Sequence, residues 1–437
     1  MIMHSCSSYL VKAIGLTQAL LALLVHGAKS FIHTRPDGFV IDTFRGGDFN
    51  DLGAWHGPGE GMPFDGGDGY IRLFPVNADQ NYHTQLSSSC FDLRPYNYMY
   101  LHIAFAGTDK FSISLNQNNK QCDPGLSPYP ETWDTVEASR YAISRYPLQN
   151  DIYVPISHFK IDLSRVVSVS FNGFYSDDIL TLFRVEVLPD IPDDVSIPEK
   201  LPSGTMVLKC KRPNSFAFGI DDGEPYLAQH LMAILKEEGI LVTFFVVGRG
   251  LESLESNFTQ VYREMLSLGH QVALHSYTHP KMEGLRTIEQ IDDEIVQSID
   301  VMKHFLGIES RYFRPPYGIV GARTRERLAY FIDDPYIVNW SVDIADWLYA
   351  NSSMPEMQLK SFEHDVKRGG DLVVMHYLSP STVSYFRDAI RLARETGKQI
   401  MRVDQCMEDP DAPPLHKQTP YKLSLDPESS SEPLEES

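Results

Sequence analysis

An α/β fold, an irregular (β/α) barrel of about seven parallel strands preceded by an all-β jelly roll or sandwich, is what the sequence predicts. Three observations predict it. Between residues 31 and 189, short apolar runs recur between clusters of Gly, Pro, Asn and Asp, and helical periodicity is nearly absent. Between 205 and 409, strand-like apolar runs alternate with amphipathic helical segments, the pattern of a parallel sheet covered by helices. Pro189–Pro202 carries four prolines in fourteen residues and reads as a semi-rigid, extended linker, so residues 190–204 separate the two parts.

Ahead of these parts, Lys12 precedes the apolar run Ala13–Val25, with small residues at Gly27 and Ala28. The run is short for a bilayer span and has the layout of a secretory signal over residues 1–28, the alternative being an uncleaved anchor. No later run approaches the ~18 apolar residues of a membrane helix. Removal of the signal removes Cys6 and leaves Cys90, Cys122, Cys210 and Cys406. An even count in a secreted chain implies two disulfides, with three connectivities open. Sequential pairing keeps Cys90–Cys122 within the first part and clamps the start of the second part to its end through Cys210–Cys406. Asn257 and Asn351 stand in glycosylation sequons; the sequon at Asn339 falls in a strand.

The first part offers strands at Tyr98–Ala106, Phe111–Leu115, Val166–Phe171 and Leu180–Leu188. Its opening, Phe39-Val-Ile-Asp-Thr-Phe and Leu52-Gly-Ala-Trp55, resembles the start of galactose-binding-like jelly rolls. That resemblance implies either an accessory structural role or carbohydrate binding. Asp42, Asp48 and Asp51 are candidate calcium ligands, the alternative being solvated loop aspartates.

The second part offers seven strands, Phe216–Ile220, Val242–Val247, Gln271–Leu274, Tyr312–Phe313, Tyr336–Val342, Leu372–Met375 and Gln399–Val403. Helices are expected over Tyr226–Glu238, Asn257–Leu268, Thr287 to Gly307, Pro355–Lys367 and Val383–Thr396. Gly239, Gly269 and Gly397 punctuate three of them, and Thr287 with Gln290 forms a capping-box pattern. After Asp409 the chain turns rich in Pro, Ser and Glu, and residues 410–437 read as a disordered acidic tail.

The formal net charge is −20, from 58 acidic and 38 basic residues among 437. Such a surplus of acid excludes a nucleic-acid partner and an anionic membrane surface, both of which need Lys and Arg in excess.

The candidate chemistry sits where barrel enzymes keep it, at the C-terminal ends of the strands. Asp221 and Asp222 close the first strand, His275-Ser-Tyr-Thr-His279-Pro280 the third and Arg314-Pro-Pro-Tyr317-Gly318 the fourth. Asp343-Ile-Ala-Asp346-Trp347 closes the fifth and His376 the sixth. Adjacent carboxylates repel unless a cation or a shared proton separates their roles. In an extended strand His275 and His279 would lie ~13 Å apart, too far to share an ion, so the chain must curl between them. With one carboxylate they supply two imidazoles and an oxygen, a set suited to Zn²⁺ or a similar cation. The other carboxylate is then free as a general base, and a histidine from another strand could protonate the leaving group. The residues alone reach metal-assisted hydrolysis.

From about Cys210 to Cys406 the chain resembles the NodB-homology polysaccharide deacetylases, carbohydrate esterase family 4. Gly219-Ile-Asp-Asp-Gly223, His275–Pro280, Arg314–Gly318, Asp343–Trp347 and Val374-Met-His376 follow that family's five motifs in order, and Thr243–Gly248 matches its second strand. The resemblance implies Asp221 as general base and Asp222, His275 and His279 as ligands of a divalent metal, Zn²⁺ or Co²⁺. It implies Arg314 as the group that orients Asp221, and the Tyr317 backbone N–H as an oxyanion donor. It further implies His376 as general acid supported by Asp346, with Trp347 and Val374 lining the acetyl pocket. Gly219 and Ile220 depart from the family's Thr-Phe, Glu224 stands where Pro is common, and Val374 replaces Leu.

The function implied is a secreted, extracellular or cell-wall-associated hydrolase that removes N-acetyl groups from a polysaccharide such as chitin. The alternatives are an O-acetyl esterase on acetylated xylan, a peptidoglycan deacetylase and, in another class, a non-catalytic glycan-binding protein.

Overall fold

Alternating burial along Leu180–Leu188 sets the first half of the molecule. Leu180, Leu182, Val185 and Val187 are buried, and the break in that alternation coincides with a bulge between Leu182 and Arg184 opposite Tyr100–Gly107. The computed structural model describes residues 36–146 and 149–415, so the expected signal segment and most of the acidic tail lie outside the described residues. The described residues from Gly38 onward belong to one compact unit with separate sandwich and barrel cores.

The sandwich has two antiparallel sheets. One runs in the order Phe64–Gly67, Tyr70–Leu73, Leu180–Leu188, Tyr100–Gly107, Gln149–Pro155 and Ala142–Tyr146, with Phe39–Asp42 also on Leu180–Leu188. The other runs His56–Gly59, Asn81–Gln85, Val166–Asn172, Ser112–Gln117 and Thr132–Glu137. Ile103, Phe105, Ile113, Val169 and Phe171 fill the space between them without exposed surface. Cys90 and Cys122 are bonded, as sequential pairing requires. The expected calcium aspartates are otherwise engaged: Asp42 faces His56 Nδ1 at 2.6 Å and Asp51 accepts from the Thr43 amide and hydroxyl. Among the described residues they form no ligand cluster.

The barrel sheet has nine strands, all parallel, rather than about seven. Thr205–Val207 is added at one edge, and the expected strand Tyr336–Val342 is divided into Tyr336–Val338 and Val342–Asp343. These two pieces sit far apart in the strand order, Tyr336–Val338 second from one edge between Thr205–Val207 and Tyr312–Phe313, and Val342–Asp343 at the other edge beside Leu372–Tyr377. Residues 339–341 therefore cross the seam where a closed ladder would otherwise form. Arg314 bridges that seam, donating to the carbonyls of Val338, Asn339 and Val373. The last strand is shorter than expected, Gln399–Met401, because Val403 already begins the helical turn Val403–Cys406.

The expected helices are present as Pro225–Glu238, Phe258–Ser267, Ile288–Val301, Met357–Lys367 and Pro380–Glu395. Thr287 and Gln290 make both bonds of the capping box, and Gly239 ends its helix at φ +63°. Cys210 and Cys406 are bonded, joining the two ends of the barrel. The helix Ala322–Phe331 was not expected, and its first turn is capped from outside. Glu283 accepts from the amides of Gly321, Arg323 and Thr324, and Ser112 of the sandwich accepts from Ala322.

The segment read as a linker is pinned rather than free. Lys200 pairs with Asp134, Arg140 donates to the Glu199 carbonyl, and Arg145 bonds Asp194. Residues 410–415 also hold to the barrel, where Gln405 donates to the carbonyls of Pro413 and Pro414.

Candidate active site

Parallel pairing brings the polar strand ends to one rim. Asp221 lies beside His376 in the ladder, and Leu274, the residue before His275, lies beside Phe313, the residue before Arg314. Asp221 and Asp222 still belong to the strand Ser215–Gly223, yet Asp222 has φ +38°. That twist turns two adjacent carboxylates toward different partners.

Asp221, 2% exposed, accepts a 2.7 Å bond from Arg314 Nη1. Burial pushes its carboxyl above the usual range, and the charges of Arg314 and His376 oppose that rise. Arg314 is fully buried, with Phe245 4.2 Å below its guanidinium. Burial works against its charge, but Asp221 and three carbonyls accept from it, so it stays a cation. Gly219 makes room for it: a Cβ there would come within 2.4 Å of Arg314 Nη2.

Asp222, His275 and His279 form the one metal-capable group among the described residues, their donor atoms all within 4.8 Å of one another. His279 Nε2 is 3.3 Å from Asp222 Oδ2. His275 Nδ1 lies 2.7 Å from the Arg314 carbonyl, which can only accept, so Nδ1 carries the proton and Nε2 keeps its lone pair. Burial pushes His275 down to about 4, so it is neutral near pH 7, as a ligand must be. The chain curls between the two histidines as their spacing requires, with Ser276 at φ +62° and His279 at +66°. Two left-handed residues without glycine cost on the order of 1–2 kcal/mol each. Glu294 holds the curl, accepting from the amides of Tyr277 and Thr278, and Ser276 Oγ accepts from the His279 amide. The sequence carries no local signal for Glu294, which sits mid-helix in Ile288–Val301.

His376 is clamped by Asp346, which accepts from its amide at 2.7 Å and from Nδ1 at 2.8 Å. Burial pulls its pKa down, but the Asp346 bond and the surrounding carboxylates outweigh it and raise it to about 9. Asp346 is 5% exposed and begins a short helical turn after Ala345 at φ +54°.

Tyr317, at φ +61°, packs its ring 4.8 Å from that of His279. Val374 is buried in the strand beside Asp343, whereas Trp347 is 71% exposed and its indole reaches Asp343 Oδ2 at 3.4 Å. Glu224 is exposed at the start of the helix Pro225–Glu238, where water and the helix dipole accommodate its charge. The Tyr262 and Tyr377 hydroxyls, 2.9 Å apart, support the rim from below, and Gly223 leaves space for the Tyr377 ring. A cavity of about 830 Å³ among the described residues lies elsewhere and touches none of these groups.

Residues 209–331 match the family described as polysaccharide deacetylase. A chitin deacetylase of Pestalotiopsis sp is 27% identical over 216 residues, covering 48% of this chain and 70% of that protein. The peptidoglycan-N-acetylglucosamine deacetylase PgdA of Listeria monocytogenes is also 27% identical over 216 residues, but the chain spans only 42% of its length. Among solved structures, the chitin deacetylase of Colletotrichum lindemuthianum is 24% identical, with a TM-score of 0.44, covering 48% of this chain and 94% of that one.

Proposed function

We propose that this chain, whose residues 209–331 carry a polysaccharide deacetylase domain, is a secreted, metal-dependent hydrolase that removes N-acetyl groups from chitin or a chitin-like polysaccharide. The observation that carries the reading is the division of labour between adjacent carboxylates: Asp221 faces Arg314 and Asp222 faces His279. A divalent cation, Zn²⁺ or Co²⁺, held by Asp222, His275 and His279, supplies Lewis-acid polarisation of the acetyl carbonyl and acidifies water. The free Nε2 of His275 and the carboxylate–imidazole donor set fit such an ion.

Asp221, kept ionised by Arg314 yet made more basic by burial, takes the proton from the attacking water. The Tyr317 backbone N–H steadies the developing oxyanion. His376, protonated and held by Asp346, gives its proton to the departing amine. Val374 and Trp347 flank the acetyl methyl group. Atoms balance as acetate and a free amine.

Two bonded cysteine pairs support passage through an oxidising compartment, consistent with the signal-like N-terminus. Asn257 and Asn351 are exposed and open to glycosylation, whereas Asn339 is buried and donates to the Gly318 carbonyl. Acetate release from chitin oligomers, acetylated xylan and peptidoglycan, with chelator and after Zn²⁺ or Co²⁺ addition, tests the reading. Release from chitin oligomers that chelation abolishes supports it; no acetate from any substrate in the presence of metal overturns it.

A further inference from the structure

Strand register makes the outer face of the five-stranded sandwich sheet polar. His83 lies opposite Ser170, Ser170 opposite Ser114, and Ser114 opposite Thr135. Their neighbours Tyr82, Phe171 and Ile113 are fully buried in the sandwich core, so the polar set points the other way, toward the barrel. Where the barrel loop Tyr317–Val320 comes over this face, a cavity of about 360 Å³ remains, within the ~300–1,000 Å³ common for small-molecule sites.

The lining is chemically selective. Asn81, His83, Asn116 and Asn172 offer amide and imidazole groups, and Trp133 and Tyr317 offer aromatic surface. Asn172 Oδ1 is buried without a partner, and no protein group among the described residues bonds the His83 ring. Burial pushes His83 down to about 4, so at neutral pH it offers one donor and one acceptor. No Lys or Arg lines the cavity, and its two carboxylates, Glu60 and the Lys281-paired Asp79, oppose an anionic ligand.

The cavity shares a wall with the rim that carries the metal-capable group. Tyr317 lines it and also packs against His279. Lys281 lies over the other part of this corner, 5.4 Å from the Tyr317 ring, and is anchored to the sandwich by Asp79 and Asn77. The cleft walls are fixed by buried contacts between the halves: a Cβ at Gly173 or Gly321 would strike Glu283.

We propose that this cleft is a saccharide subsite, binding a neutral N-acetylated sugar unit of the same chain whose neighbouring stretch is presented to Asp222, His275 and His279. It rests on the deacetylase reading of the rim and gives the sandwich a direct share in substrate binding. Amides and a neutral imidazole match ring hydroxyls and an acetamide, and an exposed aromatic ring matches the apolar face of a pyranose.

The test compares a chitin hexamer with a dimer. His83→Ala removes the imidazole and His83→Trp fills the cleft. Each lowers the hexamer-to-dimer ratio of kcat/KM about five- to tenfold, the scale of one lost hydrogen bond, with the loss in KM. An unchanged ratio in both folded variants overturns the subsite. Calorimetric binding of the hexamer to the Asp221→Asn protein, with and without His83→Trp, separates the two readings. Weaker binding with His83→Trp supports the subsite even if the wild type releases no acetate; equal binding overturns it even if acetate is released.

Discussion

The Arg314 guanidinium fills the space that a side chain at Gly219 would occupy, its three terminal atoms lying 2.4–2.7 Å from where a Cβ would stand. The residue that departs from the usual Thr thus makes room for the guanidinium that donates to Asp221. Arg314 also ties together the two ends of the parallel sheet. Gly219→Ala forces this cation aside, so it costs about 1–3 kcal/mol of overpacking in urea unfolding and lowers kcat. Wild-type stability and turnover together would refute the assigned contact.

Asp221 and Asp222 respond differently to loss of charge. Asp221→Asn retains metal, measured by elemental analysis, but loses roughly 10²–10⁴-fold in acetate release. Asp222→Asn loses metal and activity together. Equal metal content and equal activity loss in both variants contradict the assigned roles.

His376 sets the alkaline side of the profile. Its folded-state value, raised to about 9, lies above the ordinary value of about 6.5. The stabilisation from its Asp346 pair is therefore complete below about 6.5 and is lost as pH rises through about 9. In metal-free protein, NMR titration should place His376 near 9. A bound cation moves it lower by repulsion, and Asp346→Asn moves the alkaline fall in rate to lower pH. A profile identical in Asp346→Asn contradicts the pairing.

Glu283 is a structural test site. It is fully buried and accepts from three amides at the start of Ala322–Phe331. Glu283→Ala leaves those amides without acceptors and costs about 3–5 kcal/mol by denaturant unfolding. Glu283→Gln keeps one carbonyl oxygen and costs less. Equal losses would mean the amides find water instead.

Reduction of Cys210–Cys406, which spans 196 residues, frees both ends of the barrel. Chain entropy gives a loss of about 5 kcal/mol, read as a lower urea midpoint in the Cys210→Ser, Cys406→Ser double variant.

The rim was legible because its polar groups end apolar strands, a local pattern. Its geometry was not: Glu294, Phe245 and Trp340 reach the site through long-range packing. His56–Gly59 and Phe64–Gly67 carry no strand signal, because HGPG and FDGG lack apolar alternation. Ala322–Phe331 was hidden because its buried face carries Arg323 and Arg325 where apolar residues normally mark the period. The split after Val338 was invisible because Tyr336–Val342 reads as one apolar run, and only sheet order separates its halves.

Arg325 donates to Trp133 and lies 3.2 Å from Asp134, both in the sandwich, while Ser112 and Glu283 together cap the helix that carries it. Neither half holds a full set of partners for that helix. Heating should therefore give one cooperative calorimetric transition, and cleavage between 190 and 204 should leave the halves associated. A barrel bearing Arg325 but joined to a different accessory domain would bring a buried guanidinium with no carboxylate to meet it.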